Sequence, residues 1–200
     1  MSALVDKASF WNSKYVNSES NWDLNSPNPV FIELLKDSSI IKPGKILIAG
    51  CGKGYDAIAV AKAGFDVTAV DFSSFAIDFT RDLAAANAVK ITLIEKDIFE
   101  LDETVTGQFD YIYDYVTYCA INPDRRKEYA IKIASLIKPG GKFIALFFPV
   151  EKRDGGPPFG ITLIDTYKIF NEYLKLEYSE KLTNSIKPRM GREVLQLYKK

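Results

Sequence analysis

Two hundred residues, 47% apolar and 26% charged, suffice for one globular domain with a sizeable core and are too few for two ordinary ones. Lysine plus arginine equals aspartate plus glutamate at 26 each, so no net field favours a polyanion or an anionic membrane surface, and neither nucleic acid nor membrane is an expected partner. The chain has no histidine, which removes Ser-His-Asp and Cys-His catalysis as usually built and the commonest zinc ligand; no metal site is expected. Two cysteines, Cys51 and Cys119, are too few for a disulfide framework. With no apolar stretch near the roughly 18–20 residues of a membrane helix and no basic-then-apolar start, a cytoplasmic monomer is expected.

In chain order, residues 1–28 are polar and aromatic with no sustained strand period, and Phe10, Trp11, Tyr15 and Trp22 stand out. A short helix is predicted from Pro29, where proline suits a first helical position. Ile46–Ala49 is a continuous apolar run ending in glycines, as a buried parallel strand should be. A helix over Asp56–Ala63, a strand over Val67–Val70, a helix over Ser74–Ala88 and a strand over Ile91–Ile94 follow. Phe109–Tyr113 is the fourth strand, and a helix from about Asp124 to Ile137 stops at Lys138-Pro139-Gly140-Gly141. Lys142–Phe148 is the fifth strand and Leu163–Tyr173 a helix. Leu174–Leu182 and Glu193–Tyr198 read as strands joined without room for a crossover helix, so they should pair antiparallel at the edge. Strands alternating with helices imply an α/β fold, a mostly parallel sheet with helices on both faces. No repeat or linker interrupts it, so one domain spanning residues 1–200 is expected.

The chemistry centres on Gly50-Cys51-Gly52-Lys53-Gly54, between the first strand and the next helix. Glycines there let backbone approach a ligand closely, and in an open parallel sheet ligands lie beyond the carboxyl ends of the strands. Asp71 closes the second strand, where a carboxylate can accept both ribose hydroxyls of an adenosine. A dinucleotide fingerprint wants its third glycine at position 55, which is Tyr55, so the spacing suits an adenosine ligand with no pyrophosphate: S-adenosylmethionine. A ligand-free tight turn and a nicotinamide cofactor are the competing readings of the glycines. Asp97 and Ile98, after the third strand, could meet the adenine amino group and ring face, or Asp97 could simply cap a turn. Asp114, Tyr115 and Tyr118 fall at the carboxyl edge of the fourth strand, where a transferred methyl group would sit.

Together these segments resemble the thiopurine methyltransferase superfamily, most closely its thiol/halide methyltransferase branch, over about Phe10 to Lys200. Its carriers are Trp11, Tyr15 and Trp22-Asp23, Gly50 to Asp56, Val70-Asp71-Phe72-Ser73, Phe109 to Tyr115 with Cys119-Ala120-Ile121, and Gly155-Gly156-Pro157-Pro158-Phe159. The resemblance implies a Rossmann-like class I fold with a seven-stranded sheet and S-adenosyl-L-methionine as cofactor. It implies that Trp11, Tyr15 and Trp22 close over the cofactor as a lid within residues 1–28. Gly50, Cys51 and Gly52 would form the cofactor loop, Asp71 and Phe72 the ribose site, Asp97 and Ile98 the adenine contact, and Asp114 and Tyr115 the neighbourhood of the sulfonium. The chain departs from the plant-like halide enzymes, which have Trp, Gly and Tyr where Tyr15, Asn25 and Phe159 stand, and the last change bears on the acceptor.

Aromatic faces attract a sulfonium cation independently of any resemblance. A thiolate, bisulfide or halide acceptor needs little or no general base, which fits a histidine-free chain, whereas an amine would need a proton removed by Asp23, Asp114, Tyr115, Tyr118 or Cys119. The expected activity is methyl transfer to a small soft nucleophile, with no catalytic base assigned. Other small acceptors, a silent cofactor-binding module and a nicotinamide oxidoreductase are the alternatives. Cys119 lacks an evident activating neighbour and is expected to be a packed thiol.

Overall fold

The structure is a computed structural model and describes residues 4–187 and 189–200. Its seven strands make up a mixed sheet, and the chain folds as two compact units: Lys7–Leu101, and Asp102–Lys200 together with the described residues up to Asp6.

In the first unit, β1 (Lys45–Ala49), β2 (Asp66–Asp71) and β3 (Thr92–Glu95) are parallel, with β2 central. Register runs Lys45↔Asp66 to Ala49↔Val70 and Thr68↔Thr92 to Asp71↔Glu95, so Ala49 and Asp71 end their strands nearly side by side. Ile46, Leu47, Ile48 and Ala49 are all buried, as the unbroken apolar run requires. The helices are α1 (Ala8–Val16), α2 (Pro29–Leu34), α3 (Tyr55–Lys62) and α4 (Ser74–Ala86). Asn28 caps α2, accepting from the N–H groups of Val30 (2.9 Å) and Phe31 (3.2 Å), with Pro29 behind it. Ser73 caps α4 by accepting from Ala76 N–H at 3.2 Å. α1 places a helix within residues 1–28, a segment that reads in sequence as polar and aromatic with no strand period. It has no capping side chain and no acidic first turn, so local signals do not announce it and long-range contacts hold it. Residues 1–3 of that segment lie outside the described residues.

In the second unit, β4 (Phe109–Tyr115) and β5 (Ile137–Phe147) are parallel, with Tyr111↔Lys142 to Tyr115↔Leu146 in register. β7 (Val194–Lys199) runs antiparallel to β5 and to the edge strand β6 (Lys175–Lys181). The helix before Lys138–Gly141 does stop, at Leu136, but β5 starts at Ile137 rather than Lys142, because Ile137 already pairs with Phe109 ahead of a register shift. α5 (Arg126–Leu136) and α6 (Leu163–Phe170) complete the unit. Its core is aromatic: Phe170 lies 5.1 Å from Phe143, 5.9 Å from Phe147, 5.5 Å from Tyr118 and 5.3 Å from Tyr198, centroid to centroid. Offset and tilted ring pairs of this kind add about 0.5–1.5 kcal/mol each beyond area burial. Among the described residues, no helix is long and apolar enough to cross a membrane.

Candidate active site

Within the first unit the glycine turn is bound on three sides. Gly50, Gly52 and Gly54 have φ of 60°, 53° and 76°, left-handed values that explain glycine at alternate positions. Cys51 N–H donates to Val70 O (2.9 Å), tying the turn to β2. Gly52 N–H donates to Asp71 Oδ2 (2.9 Å), and the Thr80 hydroxyl of α4 donates to Gly52 O (3.0 Å). A Cβ on Gly54 would stand 2.4–2.9 Å from Thr80. Asp71 also accepts from Ser73 N–H (2.9 Å). Burial pushes its carboxyl up to about 6 against the pull of the Ser73, Gly52 and Phe72 amides.

Over this turn lie the aromatics of residues 10–22. Tyr15 is buried, stacked on Phe75 at 5.1 Å and 9°, and its hydroxyl would meet a Cβ on Gly52 at 3.2 Å. Burial raises its pKa, the charge of Asp71 adds to that, and a hydrogen bond from Trp22 opposes both. Trp22 lies edge-on to Tyr15 (5.4 Å) and to Trp11 (5.3 Å), and Phe10 edge-on to Trp11 (5.2 Å). Asn12 locks this segment onto α4: its Oδ1 accepts from Ser73 Oγ (2.6 Å) and Phe75 N–H (3.4 Å), while its Nδ2 donates to Ser74 Oγ (3.3 Å). The Lys53–Asp23 ion pair at 2.8 Å ties the segment to the turn itself. The structure therefore gathers Trp11, Tyr15, Trp22, the Gly50–Gly52 backbone and Asp71 in one place. Phe72 follows Asp71 directly; its backbone N–H bonds that carboxylate. Asp97 accepts from Phe99 N–H (3.1 Å) at the start of a 3-10 turn over Ile98–Glu100, with Ile98 buried.

Asp114, Tyr115 and Tyr118 belong to the second unit. Asp114 is 2% exposed; its Oδ1 accepts from the N–H groups of Thr117 (3.0 Å) and Tyr118 (3.3 Å), and its Oδ2 from Tyr129 Oη (2.7 Å). These bonds stabilise a turn in which Val116 has φ 61°, unusual for a β-branched residue. Burial pushes Asp114 up to about 6, with all three donors pulling down. Tyr115 Oη donates to Glu193 Oε1 (2.8 Å) and accepts from the Arg189 guanidinium, which stacks over the Tyr115 ring (5.1 Å) and the Phe148 ring (5.0 Å). Glu193 is fully buried, Arg189 is 5% exposed, and Ser185 Oγ donates to the other Glu193 oxygen. Tyr118 points into the aromatic core, 6.0 Å from Tyr129 and 5.1 Å from Phe147. The Cys119 thiol donates to Val116 O (3.2 Å), and burial pushes its pKa up to about 12. Phe159 N–H donates to the Cys119 backbone carbonyl (2.7 Å), seating the Gly155–Phe159 loop against the turn after β4.

Sequence reasoning missed Asn12, Thr80, Arg189 and Glu193. None sits in a spaced motif; each acquires its role through a contact across many residues.

A strand-end glycine turn, an acidic residue closing the next strand and an aromatic cover, set on this mixed sheet, define a class I S-adenosylmethionine-dependent methyltransferase. The chain belongs to the thiopurine S-methyltransferase family, whose pattern it matches over residues 6–198. It is 32% identical over 194 residues to a probable thiol methyltransferase 2 of Arabidopsis thaliana, covering 95% of this chain and 84% of that protein. It is 31% identical over 194 residues to thiocyanate methyltransferase 1 of Brassica oleracea, with the same coverage. In fold it is similar to 1,6-didemethyltoxoflavin-N1-methyltransferase of Burkholderia thailandensis, solved with its substrate and S-adenosylhomocysteine: TM-score 0.77, 20% identity, covering 99% of this chain and 88% of that one.

Proposed function

We propose that the protein transfers the sulfonium methyl group of S-adenosylmethionine to a small soft anion, a thiolate, bisulfide, halide or thiocyanate-like nucleophile. The observation that carries this reading is Arg189, a buried guanidinium stacked on Tyr115 and Phe148 at the end of β4, while the carboxylate of that cluster, Glu193, already accepts from Tyr115 and Ser185. Asp114 has both oxygens engaged by Tyr129, Thr117 and Tyr118, and Cys119 is held protonated far above neutrality. A buried cation favours an acceptor that arrives already charged. The names carried by the Arabidopsis and Brassica relatives, thiol and thiocyanate methyltransferases, point the same way.

The residues present fit the cofactor. The Gly52 backbone is bare where a Cβ would crowd Tyr15, Asp71 offers an ionisable acceptor for ribose hydroxyls, and the Trp11–Trp22–Tyr15 cluster offers faces to a cation. Asp97 and Ile98 would meet the adenine. When bound, the cofactor supplies a methyl group on a cationic sulfur, so that an acceptor lone pair forms the new bond to carbon as the carbon–sulfur pair returns to sulfur. The protein's share is proximity and orientation: Tyr15 and Trp22 exclude water, and Glu193 and Arg189 fix Tyr115.

The test is a mass-spectrometric methyl-transfer screen over small and aromatic thiols, bisulfide, iodide, thiocyanate and amines. Turnover on soft anions is expected; turnover on amines alone overturns the reading.

A further inference from the structure

Arg126, the first residue of α5, plays no part in the methyl-transfer reading. Its guanidinium lies over the Tyr118 ring, 4.8 Å from the centroid, and its Nη1 donates to Gly160 O at 3.0 Å, which fixes the plane of the group. Its Nε and Nη2 are shielded from solvent and have no hydrogen-bond partner among the described residues, and the same is true of Tyr118 Oη, on a ring only 1% exposed. A guanidinium left with unpaired buried N–H groups is costly, and native proteins resolve such cases with a bound partner. The carboxylates acting on Tyr118 do not provide it. Asp114 is engaged by Tyr129, Thr117 and the Tyr118 amide. Asp165 is exposed and accepts from its own helix cap, Thr162.

The three orphan groups are two N–H donors of a cation and one phenolic O–H. Water would accept from two of them and still need acceptors for its own hydrogens, for which Tyr118 Oη is the sole candidate among the three. An anion only accepts, and it neutralises the guanidinium. We propose that Arg126 Nε and Nη2 together with Tyr118 Oη form a buried binding site for one small monovalent anion of halide size. The site joins the start of α5, the turn after β4 and, through Gly160 and the Phe159–Cys119 hydrogen bond, the 155–160 loop. Its occupancy would stiffen that loop.

The probe is bromide. A crystal grown in sodium bromide should give an anomalous peak within hydrogen-bond distance of Arg126 Nε and Nη2 and of Tyr118 Oη. In solution, replacing gluconate by bromide at constant ionic strength should raise the Tm by about 3–6 °C once bromide reaches tenfold its Kd. Arg126→Gln should abolish that rise, and Tyr118→Phe, which removes a hydroxyl without breaking a protein hydrogen bond, should reduce it while keeping the fold. A water molecule at the three donors with no anomalous signal, or an equal bromide response in Tyr118→Phe and the parent, overturns the proposal.

Discussion

Asp71 and Asp114 are both strand-end carboxylates that burial pushes up to about 6, yet their oxygens are used differently. Asp71 holds the glycine turn and, in the proposed function, also accepts ribose hydroxyls. Asp71→Ala should weaken S-adenosylmethionine binding by about 1.5–3 kcal/mol, the range for hydrogen bonds to charged groups, measured by calorimetry. Because the carboxylate is the accepting form, affinity should be full above about pH 6 and fall below it, with Asp71→Asn flattening the profile. Asp114 instead closes its own turn. A carboxyl whose folded pKa lies above its unfolded value of 3.8 adds stability below the unfolded value and loses it as pH rises through about 6. Relative to Asp114→Asn, the native chain should therefore gain on the order of 3 kcal/mol between pH 7 and pH 4, read from urea unfolding at each pH. Asp71 was legible in the sequence, since a strand end fixes its place. The partners of Asp114 were not: Tyr129 reaches it from α5, and nothing in the spacing of the two announces that bond. Tyr118 read as an acceptor-side candidate because it follows the same strand, but the left-handed Val116 turn precedes a ring packed among Tyr129, Phe147 and Phe170.

The α3–turn–α4 arrangement depends on how close the turn comes to the second helix. Thr80 is fully buried and bonds Gly52 O, so it sets the height of the turn above α4. Gly54→Ala should destabilise the fold by about 2–4 kcal/mol, combining a left-handed residue with an overpacked contact, as measured by denaturant unfolding. Glycines at alternate positions were enough to locate the turn from sequence. Their cause, a threonine from the following helix, lies 26 residues beyond Gly54 and carries no pattern of its own. α1 was illegible for a related reason. Its nine residues lack a cap, and Asn12 becomes a cap for α4 only once the chain has folded back on itself.

At the scale of the whole molecule, composition already constrained the chemistry. Without histidine, and with Cys119 held near 12, the protein offers little that titrates between about pH 7 and 9. Between about pH 7 and 9 the pH dependence of kcat/KM should then belong to the acceptor: rising about tenfold per pH unit below the pKa of a thiol, and flat with iodide or thiocyanate. A bell-shaped profile with iodide would point to a protein acid or base instead. The alternation of apolar runs and amphipathic stretches made the parallel strands and the antiparallel pair β6–β7 readable, because burial dictates that pattern. The Arg189–Glu193 group was not readable, since it lies in a polar loop between β6 and β7 whose path only tertiary packing sets.

Both indoles of the chain stand in the Trp11–Trp22–Tyr15 cluster. Light absorbed in the tryptophan band is therefore re-emitted from one short stretch beside the glycine turn, and from nowhere else. The protein carries a native optical reporter of that stretch, and substitutions elsewhere can be compared through it without adding a label.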